Sequence, residues 1–143
     1  VYRRREMTIE EMEDEFIENF EKLEDWLSQY AWLLHLSDEA MGAGKIERID
    51  CYRIRGCQSV AWAECYYDQY GKLFFSADSD ALLVKGLLAV IAILVNGRTK
   101  EEIRDWNPRF IKSTALEIQL SGERIQGVTS VIQQIKSISC SCG

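Results

Sequence analysis

Residues 61–95 read AWAECYYDQYGKLFFSADSDALLVKGLLAVIAILV, and the change of hydrophobic pattern inside this stretch decides the fold. Residues 61–67 and 72–77 are rich in aromatic side chains and are separated by Asp68-Gln69-Tyr70-Gly71, which reads as a β-hairpin with Gly71 at the turn. Residues 81–95 are then apolar on nearly every side. Asp78-Ser79-Asp80 offers N-cap oxygens before this run, and Asn96-Gly97 stops it. A helix apolar all round is a central, buried one. The run contains Lys85 and falls short of the roughly 18 apolar residues that a bilayer span needs.

Outward from this centre, Thr8 with Glu11 forms a capping box. Ile9, Met12, Phe16, Phe20, Leu23, Leu27, Tyr30 and Leu34 recur at helical spacing, with acidic residues on the opposite face. Asp25 is able to restart a helix at Trp26, so one long helix and two shorter ones both fit. Residues 37–44 read as a loop, with Gly42 and Gly44 at flexible positions. Residues 51–54 are a weaker strand candidate leading into Gly56-Cys57. Thr99 with Glu102 opens a short helix that ends before Asn107-Pro108. The last helix begins after Ser121 and places Ile125, Val128, Val131, Ile132 and Ile135 on one face. The expected architecture is α+β, a small antiparallel sheet packed against several helices. A single domain spans residues 8–138, with 1–7 and 139–143 as flexible termini.

The chain has 143 residues, 47% hydrophobic and 28% charged, which suits one domain with a modest core. Lys and Arg total 17 against 23 for Asp and Glu, a formal net charge of -6. That balance argues against a generic nucleic-acid binder, although Arg3, Arg4 and Arg5 form a local basic patch. Residues 1–7 carry charge without an apolar stretch and are not a secretory signal. The five cysteines, Cys51, Cys57, Cys65, Cys140 and Cys142, are odd in number and fit reduced thiols in the cytoplasm better than a disulfide framework. The one histidine, His35, excludes most His-rich metal sites.

Chemistry is concentrated at Arg55-Gly56-Cys57-Gln58-Ser59. Glycine before cysteine permits a tight turn that presents the thiol, and Arg55 favours the thiolate. By residue type alone, an inert small core cysteine outweighs a reactive one. For Asp78-Ser79-Asp80 helix capping outweighs metal binding. For Cys140-Ser141-Cys142 a frayed terminus outweighs a soft-metal or redox pair.

The same quintet, followed by Trp62, resembles the GCQS-x-V-W signature of the SufE/CsdE family, the sulfur-acceptor partners of cysteine desulfurases. Asp78-Ser79-Asp80-Ala81 with Val84-Lys85-Gly86 is similar to that family's D-S-D-A…V-K-G run. Leu120-Ser121…Arg124…Gly127 resembles its L-S/T-P-x-R-x-x-G segment, and Trp26, Tyr30, Leu33 and Leu36 resemble its W…Y…L-I…L-G helix. Ala61 stands where the family usually has Val, Tyr52 where it commonly has Asn, and Gly122 where it has Pro.

The resemblance implies a SufE-like fold and a stoichiometric carrier that is not independently catalytic. Cys57 accepts sulfane sulfur from the persulfide of a SufS/CsdA-type cysteine desulfurase, stimulates that enzyme, and passes the sulfur on to Fe-S scaffold proteins. Gly56, Gln58, Ser59 and Arg124 then form and support the acceptor loop, with Cys57 tucked against apolar residues. Arg55, Asp78 and Asp80 contact the partner, and Lys85-Gly86 is structural, allowing close helix packing. No metal and no cofactor belong to this chain, because pyridoxal phosphate resides on the desulfurase. A monomer or weak dimer without nucleic-acid or membrane partners is expected. Three alternatives stand beside it: a zinc-binding scaffold using Cys57, Asp80, His35 and the tail thiols, a docking module that carries no sulfur, and a Cys–His hydrolase with His35 as base. Cys51 and Cys65 are expected to be structural, with Cys65 on the hairpin face of Ala63 and Tyr67.

Overall fold

The computed structural model describes residues 7–40, 46–54 and 60–141. Among them are six α-helices and one two-stranded antiparallel sheet. The architecture is α+β, and α3 (Leu82–Val95) is its centre. From Gly86 to Val95 every residue of α3 is buried, because helices and the sheet cover it on all sides. This is the physical consequence of an apolar run too uniform to leave a solvated face. No helix of the described residues is long and apolar enough to cross a membrane.

α1 (Ile9–Glu21) opens on the expected capping box: the Thr8 amide donates to Glu11 Oε1 at 2.9 Å, and the Glu11 amide donates to Thr8 Oγ1 at 3.0 Å. The chain then breaks and restarts as α2 (Trp26–Ala40), where Asp25 Oδ1 accepts the Ser28 amide at 2.8 Å. Two helices therefore form rather than one, and the break resets the helical phase. α1 buries Ile9, Met12, Phe16 and Phe20 as expected, but α2 buries Leu33 and Leu36, while Leu27 is 80% exposed. α2 also runs through residues 37–40, which read as loop. Ser37 satisfies its hydroxyl by donating to the Leu34 carbonyl, so a polar residue sits in a buried helical turn without cost to the backbone. Gly42 and Gly44 lie outside the described residues.

Where α2 crosses α3 the backbones approach closely. A Cβ added at Gly86 would lie 3.0 Å from Leu33 Cβ and 3.2 Å from the Leu33 carbonyl oxygen, so a larger residue would require Leu33 to give by a few tenths of an ångström. The Lys85-Gly86 pair is structural in this respect, as expected.

β1 (Ala61–Tyr67) and β2 (Leu73–Ser79) pair in the register Tyr67↔Leu73 to Ala61↔Ser79. Gly71 takes φ +74° in the connection, the left-handed value that its lack of a Cβ permits. Asp68 Oδ1 accepts the amides of Tyr70 and Lys72 there. Leu73, Phe75 and Ala77 face α3, opposite Tyr67, Cys65 and Ala63. Trp62, Glu64 and Tyr66 share the other face with Asp78, Ser76 and Phe74. The open edge of β2 is closed by the chain leaving α3. The Asn96 side chain exchanges two hydrogen bonds with the Phe75 backbone, and the backbones of Gly97 and Arg98 pair with Leu73.

α4 (Lys100–Asp105) begins on the Thr99–Glu102 capping box, and α5 (Leu116–Gln119) is a short helix that no sequence signal announced. α6 (Gly122–Ser141) buries Val128, Val131, Ile132 and Ile135, with Ile125 partly buried beside them.

Two further expectations need correction. Residues 51–54 are not a strand: Asp50–Tyr52 is a 3-10 turn, followed by a single bridge from Arg53 to Trp62. Asp78, Ser79 and Asp80 do not stand at the N-cap of α3, because β2 continues to Ser79 and Ala81 takes that position without a side-chain hydrogen bond. Met7 packs on the core with its carbonyl accepting Arg98 Nη1 at 2.7 Å, and α6 continues to Ser141.

One acidic residue of α1 does not follow the amphipathic pattern. Glu13 is fully buried, and its carboxylate accepts Trp106 Nε1 at 3.1 Å and the backbone amides of Arg109 and Phe110 at 2.6 and 2.9 Å. A buried charge is tolerable when several donors replace its water, and these N–H groups do so while tying α1 to the chain after α4.

Candidate functional site

Arg55, Gly56, Cys57, Gln58 and Ser59 lie outside the described residues; the residues on either side of them are held by hydrogen bonds. The Ile54 amide donates to the Ala61 carbonyl at 2.8 Å, and Arg53 bridges Trp62. On the other side, the Val60 carbonyl accepts both the Ser79 hydroxyl at 2.8 Å and the Asp80 amide at 3.2 Å. Ser79 Oγ in turn accepts the Ala81 amide at 3.1 Å. The chain thus leaves and re-enters at adjacent hydrogen-bonded positions, at the end of the hairpin and beside the start of α3. In the D-S-D-A run the serine hydroxyl is the joint between these two elements.

The two aspartates of that run meet a residue that the sequence reading passed over. Arg48 Nε and Nη2 donate to Asp78 Oδ2 at 3.1 and 3.0 Å, and Nη1 donates to Asp80 Oδ1 at 2.7 Å. The guanidinium carbon lies 4.7 Å from the centroid of the Trp62 ring, in cation–π geometry. Asp78 Oδ1 accepts the Ser79 amide at 2.8 Å, and Lys85 Nζ approaches the same oxygen at 3.5 Å. Partial burial alone would raise the Asp78 carboxyl. The Arg48 hydrogen bond, the Ser79 amide and the charges of Lys85 and Arg48 outweigh it and hold the group below its usual range. The hydrogen bond to Asp78 likewise pushes the Arg48 guanidinium up. No local spacing in the sequence pairs Arg48 with residues 30 and 32 positions away.

The other expected site residues are distributed differently. Asp78 and Asp80 come together through Arg48, and among the described residues Arg124 is not one of their partners. Arg124 sits in the first turn of α6, where its backbone amide donates to Ser121 Oγ at 3.2 Å. Its Nη1 atom, like Arg53 Nε, is buried without a hydrogen-bond partner among the described residues.

Two other thiols, Cys51 and Cys65, line one cavity of about 390 Å³ between β1, the 3-10 turn and α6. Cys51, Tyr52, Cys65, Gln134 and Ile135 help to line it, and the Tyr52 hydroxyl donates to Glu64 Oε2 at 3.3 Å. Burial pushes the Cys65 thiol up to about 12, so it stays protonated and inert at neutral pH. Cys51, by contrast, is exposed. Cys142 and the side chain of Cys140 lie outside the described residues. His35 stands on the solvent side of α2, 3.4 Å from Glu39, as one half of a helix-surface pair. Among the described residues no group of three or more His, Cys, Asp or Glu side chains is gathered to hold a metal.

The fold has a solved counterpart. A solution structure of a hypothetical protein from Thermus thermophilus superposes with a TM-score of 0.73 over 90% of this chain and 93% of that one, at 17% sequence identity. Residues 14–139 match the family model SufE, an Fe-S metabolism associated domain. That span takes in the Arg48–Asp78–Asp80 cluster, both ends of the 55–59 segment and nearly all of α6, and the chain belongs to the SufE family.

Proposed function

We propose that this protein is a sulfur-acceptor protein for a cysteine desulfurase, with Cys57 as the acceptor thiol. The observation that carries the reading is the placement of the R-G-C-Q-S quintet. That placement is one in the sequence: the quintet falls within the span matched by the family, and the described residues that flank it, Ile54 and Val60, are hydrogen-bonded at the junction of β1, β2 and α3. The other described thiols suit the role less well: Cys65 is held protonated by burial, and Cys51 lies in the 3-10 turn, outside the quintet.

The chemistry is a thiol exchange. The Cys57 thiolate attacks the terminal sulfur of the desulfurase persulfide. The sulfur–sulfur bond of that persulfide breaks, the partner's cysteine leaves as thiolate, and Cys57 holds the persulfide. The exchange is redox-neutral and frees the desulfurase for another turnover. The protein acts stoichiometrically, since the C–S bond of cysteine is cleaved on the pyridoxal-phosphate enzyme, and an Fe-S scaffold receives the sulfur. Gly56, Gln58 and Ser59 shape the loop, Arg124 supports it, and Arg55, Asp78 and Asp80 face the partner.

Incubation with desulfurase and cysteine, followed by mass spectrometry, tests this reading. A reducible increment of about one sulfur on the Cys57 peptide is expected. Desulfurase turnover should rise with the wild-type protein and fall to the unstimulated level with Cys57→Ser. Equal stimulation by both proteins would leave a docking module that carries no sulfur.

A further inference from the structure

We propose that Arg48 is a positioning residue for sulfur transfer, acting through Asp78, Asp80 and Trp62 on the chain ends that flank residues 55–59. This inference rests on the proposed role of Cys57.

The argument is one of connectivity. Arg48 belongs to residues 46–49, which lead into the 3-10 turn. Through its three nitrogens it fastens this stretch to the last residues of β2 and to Asp80 just beyond them. Its plane lies over Trp62, the residue bridged by Arg53. Asp80 is also the residue whose amide holds the Val60 carbonyl. One guanidinium therefore joins both ends of the frame: it reaches the Arg53–Trp62 bridge from one side and the Val60–Ser79–Asp80 bonds from the other.

Lysine would not substitute. Its ammonium is a point charge without the planar fork that satisfies two carboxylates and covers an indole ring together. At 48% side-chain exposure the cluster adds little to global stability, so its geometry is better explained by what it holds in place. A small displacement of a reacting group far from its own bonds costs up to roughly a hundredfold in rate.

The test compares wild type, Arg48→Ala, Arg48→Lys and Cys57→Ser, with Arg104→Ala as a control for a surface ion pair elsewhere. Maximal desulfurase stimulation and the concentration giving half of it are read separately, together with single-turnover labelling of Cys57 and thermal unfolding. The expected result is a drop of about tenfold in labelling rate and maximal stimulation for Arg48→Ala. Arg48→Lys should recover less than half of the loss. The half-saturating concentration should stay within about twofold, and the melting temperature should be close to wild type.

Labelling at the wild-type rate in Arg48→Ala would overturn the positioning role and leave the acceptor reading intact. A change confined to the half-saturating concentration would also overturn it, making Arg48 a docking contact. Full rescue by lysine would reduce the cluster to a point charge and overturn the geometric argument. Absence of label on wild-type Cys57 would instead overturn the acceptor reading, and this proposal with it.

Discussion

Two junctions in this protein join distant segments through an arginine and a carboxylate, and they are built on opposite principles. At the first, Glu13 of α1 is fully buried, accepts three N–H groups from residues 106–110 and pairs with Arg109 Nη2 at 3.3 Å. At the second, Arg48 holds Asp78 and Asp80 from a half-exposed position on the outer face of the hairpin. The buried junction is costly to break, because removing the carboxylate strands donors away from water. The exposed one is cheap to break, because water replaces either partner. The first secures the fold. The second holds local geometry beside the proposed acceptor site, where precision matters more than free energy.

Replacement of Glu13 is the largest expected effect. Glu13→Ala should destabilise the protein by about 3–5 kcal/mol, since the Trp106, Arg109 and Phe110 N–H groups lose their buried acceptor. Urea unfolding measures it, and a loss below about 1 kcal/mol would place Glu13 in the same class as the exposed junction. Gly86→Ala is an apolar yardstick between the two. The added methyl meets Leu33 at 3.0 Å, so overpacking should cost about 1–3 kcal/mol, read as a lower denaturant midpoint with an unchanged slope.

Arg48→Ala should cost far less stability than Glu13→Ala, and less still as salt rises. A loss comparable to that of Glu13→Ala would erase the distinction between the junctions. The pH dependence sharpens it further. The folded Asp78 carboxyl is held below its ordinary value of 3.8, so its stabilisation is fully present above that value. It is lost as the pH falls through the lower folded-state value. The stability difference between wild type and Asp78→Asn should accordingly be constant near neutrality and shrink below about pH 4, by urea titration at several pH values. A difference that grew in acid would reverse the sign assigned to the cluster.

The smallest effect is kinetic. Native-state alkylation should modify Cys65 more slowly than Cys51, because burial keeps the Cys65 thiol protonated while Cys51 is exposed. Peptide mapping gives the order, and fastest labelling of Cys65 would show that the wall of β1 and α6 opens readily.

What was legible from sequence was whatever rests on local pattern. The capping boxes at Thr8 and Thr99, the hairpin turning at Gly71, the buried α3 and the apolar face of α6 each depend on residues within a few positions of one another. Family membership was legible for a related reason: its motifs are short runs kept in order along the chain. The R-G-C-Q-S quintet could be read as an acceptor motif, but what holds its two ends could not. Expectations failed where a distant partner settled the outcome. Asp78 and Asp80 have the side chains of helix caps, yet β2 pairing carries the strand through Ser79 and Arg48 takes both carboxylates. Glu13 falls on the apolar stripe of α1, one turn from Ile9 and Phe16, and N–H groups more than 90 positions away are what make a carboxylate tolerable there. A side chain's intrinsic chemistry states which bonds it is able to make, and the local sequence states which helix or strand carries it. Which of those bonds forms depends on the donors and charges that tertiary packing brings within about 3 Å, and only the folded structure decided that.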